Sequence, residues 1–108
     1  MSAEKIKSEL IIASKLIVEM ETIEEKEIVG AKKLLLSFLD ALKMEVHFAK
    51  NLSNSRNFDE VDAKMEEAKQ NVDLQKFSEA LKNVSAAISS ATTLGQQAAQ
   101  ELSERNFL

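Results

Sequence analysis

Residues 21–27 read ETIEEKE. A helix running through them makes the first half of the chain one long rod; a helix that stops there makes the chain four shorter segments. The apolar residues on either side distinguish the two. Upstream, Ile6, Leu10, Ala13, Ile17 and Met20 recur at alternating steps of four and three, which places them on one helix face. Extended through ETIEEKE, that face meets Glu24 and Glu27. Apolar residues then resume one position out of phase, at Ile28, Ala31, Leu35, Phe38, Leu42, Val46 and Ala49. Thr22 followed by Glu25 spells a capping box, in which each side chain satisfies an orphan amide at a helix start. These signals predict a break near residue 22.

Outward from there, NLSNSRN at 51–57 gathers Asn and Ser, which compete for their own backbone and favour turns over helix interior. A third stripe follows at Phe58, Val61, Met65, Ala68 and Val72. After another phase slip, a fourth runs through Phe77, Leu81, Val84, Ile88, Ala91, Gly95, Ala98 and Leu102. Asn71 can close one helix and Asp73 can cap the next. The chain therefore reads as a single all-α domain over 1–108, an antiparallel four-helix bundle with helices at 3–21, 23–51, 58–71 and 74–104. The alternative, if both slips are ignored, is a long two-helix hairpin that dimerises into a bundle.

Composition agrees. The 108 residues include no Pro, Trp, Tyr or Cys and two Gly, which suits helices rather than turn-rich sheets. Net charge is -4, and no segment gathers the dense Lys/Arg face that phosphate neutralisation requires, so nucleic acid is not an expected partner. No apolar run is long enough for a membrane span, and MSAEKIKSEL places Glu4 and Glu9 where a signal peptide would be basic and then apolar. The expected setting is cytoplasmic.

One stretch departs from this pattern. NVSAAISSATTLGQQAAQ, residues 83–100, carries no charge, although 30% of the chain is charged. Opposite the fourth stripe, Glu79, Asn83, Ala86, Ser90, Thr93, Gln97 and Gln100 share a face that a solvated helix would lace with Lys and Glu. The second helix is apolar on several sides: Val29, Leu36, Met44 and Phe48 lie off its main stripe, as do Ile11 and Val18 on the first helix. The expectation is a homo-oligomer, most simply a two-fold dimer, touching through Ala86, Ser90, Thr93 and Gln97 with Val29 and Leu36 as neighbours. A different protein partner would suit the same faces.

Catalytic and metal chemistry have no visible apparatus. His47 is the one imidazole; the residue three before it is Met44, and Glu45 is two before it, so the Glu-x-x-His pattern of di-iron bundles is absent. Gly30 and Gly95 stand alone, with no phosphate-cradling loop and no nucleophile elbow. No catalytic residue, metal ligand or cofactor is expected. Met20, Met44 and Met65 read as core filler. The function expected is a non-catalytic, self-associating interaction or scaffold module. The alternative is a small-molecule binder whose apolar cavity Phe38, Phe48, Phe58 and Phe77 would line.

AKQNVDLQKFSEALKNVSAAI, from Ala68 to Ile88, resembles the helix-turn-helix of tetratricopeptide repeats, with Asp73 at the turn, then Phe77, Ala80, Leu81 and Ala87. A repeat array would need further copies, and the chain holds one. The helical arrangement is also similar to that of small nucleotide-associated HEPN domains. Their ribonuclease signature sets an Arg shortly before its His; here Arg56 follows His47, so the resemblance implies no ribonuclease.

Overall fold

The computed structural model describes residues 3–53 and 56–106. Four helices account for nearly all of them: α1 (Ala3–Met20), α2 (Ile28–Ser53), α3 (Arg56–Asp73) and α4 (Phe77–Asn106), with a short 3-10 turn at Glu25–Glu27 before α2. Both phase slips are real breaks, so the chain is a four-helix bundle and not a two-helix hairpin.

The first break differs from its expected chemistry. The amides of Glu21, Thr22 and Ile23 turn back to the carbonyls of Val18, Glu19 and Met20, which tightens the end of α1 into a 3-10 turn. Thr22 Oγ1 donates to the Glu19 carbonyl at 2.8 Å. Its hydroxyl therefore closes the first helix instead of capping the second, and no capping box forms. Glu24, in extended conformation, precedes the 3-10 turn without a side-chain cap, and α2 starts at Ile28 rather than 23.

At the second break α3 runs two residues past Asn71. The Lys76 amide donates to the Asn71 carbonyl at 2.7 Å and the Gln75 amide to that of Val72 at 3.0 Å, with Gln75 at φ 59°. This is a Schellman closure whose left-handed position is filled by Gln rather than Gly. Asp73 thus ends α3 and does not cap α4, which begins at Phe77 and not at 74. Between α2 and α3, the expected loop shrinks from both sides, since Asn51–Ser53 and Arg56–Asn57 are helical; Asn54 and Ser55 lie outside the described residues.

Each helix packs on its neighbours in a ring, α1 on α2, α2 on α3, α3 on α4 and α4 on α1, leaving α2 and α4 on a diagonal. The seam between α1 and α2 is the loosest of the four. Antiparallel neighbours bring four stripes to one axis, where Leu10 and Ile17, Leu39 and Val46, Val61 and Met65, and Val84 and Ala87 are fully buried. On α1 and α3 the buried residues are the stripes read from sequence.

On α4 the axis is rotated. Ala80, Val84, Ala87, Ala91 and Leu94 are buried, while Phe77, Leu81 and Ile88 pack half-buried at the edge. Small side chains at the centre let α1 and α3 approach closely, and the bulky ones fill the flanks. The side chain of Ala98 lies outside what is described. α4 is also the longest helix, at 30 residues. Asn57 at the start of α3 bonds Gln97 and Glu4 at the start of α1 lies over Gly95, so the last turns of α4 project beyond the bundle. The molecule is accordingly elongated, 60 × 21 × 17 Å.

Candidate interaction face

Helix α2 has two unlike flanks. Toward α3 it presents lysines and one acid that meet opposite charges across the seam, together with the imidazole of His47. Lys43 Nζ lies 2.5 Å from Glu66 Oε2 and 3.7 Å from Asp62 Oδ1. His47 Nε2 is 3.3 Å from the same Asp62 oxygen, Lys50 reaches Asp59 at 2.6 Å, and Asp40 pairs with Lys69. Near the start of α2, Lys32 donates to the carbonyl of Asp73 at 3.1 Å. The Glu66 carboxyl is held below its usual range by the hydrogen bond and charge of Lys43, with Lys69 adding to it. Lys69 is held above its usual range by its hydrogen bond to Asp40. Ion pairs thus line this seam within the chain, although Asp62 Oδ1 is buried there without a hydrogen-bond partner.

Toward α1 the same helix is apolar and open. Helical spacing puts Leu34, Phe38, Ala41, Phe48 and Leu52 on that flank, and α1 adds Ile12 and Leu16 beside them. Leu34 is 74% exposed, Phe48 64%, Leu52 80% and Ile12 50%. A cleft of about 380 Å³ runs between the helices, lined by Leu16, Met20, Ile23, Leu34, Leu35 and Phe38 among others. Large apolar side chains exposed beside a cleft often mark an interaction site.

The charges in this face are Glu19, which lines the cleft, and a cluster around Lys5. Lys5 lies 3.5 Å from Glu45 and 3.9 Å from Glu9. Burial raises the Glu9 carboxyl to about 6, and its hydrogen bond and charge repulsion with Glu45 add to the effect against the pull of Lys5. Glu45 Oε2 is buried without a hydrogen-bond partner, which a proton shared with Glu9 would supply. Glu45 is thus an edge residue between α1 and α2.

The interface expected from sequence falls elsewhere. Ala86 and Ser90 are half-buried on the α3 flank of α4, and Thr93 and Gln97 are exposed there. Ser90 Oγ donates to Glu60 at 3.2 Å and Gln97 Oε1 accepts from Asn57 at 3.3 Å, both partners being on α3. Asn83 donates to Glu67 at 2.8 Å and accepts from Asn71 at 2.7 Å. Much of the uncharged stripe is therefore engaged inside the chain. Val29 and Leu36 sit on the other side of α3: Val29 is 70% exposed, and Leu36 borders a cleft with Asp40, Glu66 and Lys69. The six residues do not form one patch, because α3 stands between the two groups.

The aromatic residues do not converge either. Phe38 lines the α1/α2 cleft, Phe48 borders a shallow one with Met44 and His47, Phe58 is buried and Phe77 is half-buried against the core. Met20 and Met65 are core residues as expected, but Met44 is 64% exposed. The α1/α2 face was missed as a unit because its members come from two helices and, Phe38 apart, lie beside the main stripes; Phe38 and Phe48 are the members that the sequence analysis singles out.

Among the described residues, no group of three or more His, Cys, Asp and Glu stands together as a metal site, and no helix is long and apolar enough to cross a membrane. The chain matches no protein-family model, and neither characterised proteins nor solved structures include a significantly similar one.

Proposed function

We propose that the chain is a non-catalytic helical interaction module that associates with a second copy of itself. The observation that carries this reading is the open apolar face of α1 and α2, with Leu34, Phe48 and Leu52 exposed beside a cleft. Removing such surface from water is the dominant favourable term in association. Lack of cysteine fits a reducing compartment such as the cytoplasm. Sedimentation at tens of micromolar tests the reading: it expects a dimer, and a monomer overturns it.

A second reading has a specific observation behind it. The α1/α2 cleft, at about 380 Å³, falls within the size of small-molecule sites and is lined almost entirely by apolar side chains. A small apolar ligand held there would raise the melting temperature with ligand concentration, because it binds only the folded state. A thermal-shift screen of fatty acids and aromatic ligands separates the two readings.

A further inference from the structure

Resting on the small-molecule reading of the α1/α2 cleft, we infer that this cleft takes a small apolar amine, an aryl or alkyl body carrying one ammonium group beside Glu19. The cleft has a cause in the sequence. Ala31 on α2 shares it with Leu16 and Met20 on α1, and so small a side chain leaves space that a leucine would fill. The two helices also meet there along the loosest seam of the bundle. Met20 and Leu35, both buried, form the floor; Leu16, Leu34 and Phe38 form the walls, and Ile23 borders the end at the connector between the helices. The volume is about 380 Å³. At roughly 30 Å³ per small group, that is room for on the order of a dozen heavy atoms.

Charge decides the class of ligand. Glu19 is the one ionisable side chain in the lining, and it is exposed at the rim. The connector that continues from it is acidic: residues 19–27 hold Glu19, Glu21, Glu24, Glu25 and Glu27 against a single base, Lys26, whose ammonium lies 3.6 Å from Glu24. Lys15 and Lys33 fall, by helical spacing, opposite the buried stripes of their own helices and so away from the floor of the cleft. An ammonium group that reaches Glu19 gains a charge-assisted hydrogen bond while its apolar body leaves water. A carboxylate in the same place meets a like charge, and an alcohol lacks the charge attraction.

Three probes with one common body separate the contribution of charge from that of burial. Phenylbutylamine, phenylbutanol and phenylbutyrate are titrated into the protein near neutral pH, with affinity and location read from amide and methyl NMR shifts. All three should shift Leu16, Leu34 and Phe38, and the amine should bind at least about threefold more tightly than the alcohol, with the carboxylate weakest. Added salt should narrow the difference. Glu19→Gln, an exposed substitution whose fold is checked by circular dichroism, should bring the amine to the affinity of the alcohol and leave the alcohol unchanged. Shifts in the cleft with equal affinity for all three probes keep the small-molecule reading and overturn the amine. An amine preference that survives Glu19→Gln also overturns it, since attraction to the acidic chain as a whole then accounts for the binding. No shift in the cleft with any probe overturns both.

Discussion

The Ser90 hydroxyl on α4 donates to the Glu60 carboxylate on α3 at 3.2 Å, and this bond accounts for part of the uncharged stretch. Where a helix lies against acidic neighbours, neutral donors satisfy the carboxylates without bringing a second charge out of water. Asn83 does the same for Glu67, and Asn57 meets Gln97 at the far end. The stripe is a seam between helices before it is a surface.

Asn83→Ala removes one bond it donates and one it accepts, and should lower stability by about 1–2 kcal/mol. Thr93→Ala loses only a bond to the Ser89 carbonyl of its own helix and should stay within about 0.5 kcal/mol. Urea unfolding measures both. Equal losses would mean that the stripe is not anchored by α3.

The rotation of α4 gives a second prediction. Ala87 is fully buried and Ile88 is not, so Ala87→Leu should overpack the centre and cost about 1–3 kcal/mol. If thermal unfolding shows Leu tolerated there without loss, the buried axis runs through Phe77, Leu81 and Ile88 instead.

How far the fold was legible follows from the same helix. The α1 and α3 stripes could be read residue by residue because large apolar side chains mark their centres, as Leu10 and Ile17 or Val61 and Met65 do. On α4 the centre includes Ala80 and Ala87, which weigh little in any apolar pattern, so Phe77, Leu81 and Ile88 drew the stripe to the flank. The breaks were legible as phase slips, but their chemistry was not: Thr22 can accept from the helix ahead or donate to the one behind, and only packing decides. The α1/α2 face needs the pairing of two helices to be seen at all.

Gln75 holds a left-handed backbone at φ 59°, where a side chain costs about 1–2 kcal/mol and glycine is free of the clash. After the extra chain entropy glycine loses on folding, Gln75→Gly should still raise stability by about 0.5–1 kcal/mol. A lower denaturation midpoint would mean that the Gln75 side chain makes a stabilising contact.

Acidity should stabilise the fold before it destabilises it. The Glu9 carboxyl titrates at about 6 in the fold against an ordinary 4.5, so the folded state binds this proton more tightly. Its contribution is fully present below 4.5 and is lost as pH rises through about 6. Glu66, held low by Lys43, acts in the opposite sense at more acid pH. Stability should therefore rise between pH 7 and 5, by no more than on the order of 1 kcal/mol, since water still reaches both carboxyls. Glu9→Gln should remove that rise. Urea midpoints at the two pH values check it; an unchanged slope in the variant assigns the proton to another group.

Sedimentation equilibrium of the wild type beside Leu34→Glu tests the central claim most directly. Leu34 is exposed on α2, so the variant should keep its helicity while losing the surface through which copies meet. The account predicts a wild-type dimer at tens of micromolar and a folded monomer for Leu34→Glu. A wild-type monomer, or a variant that associates as tightly as the wild type, contradicts it.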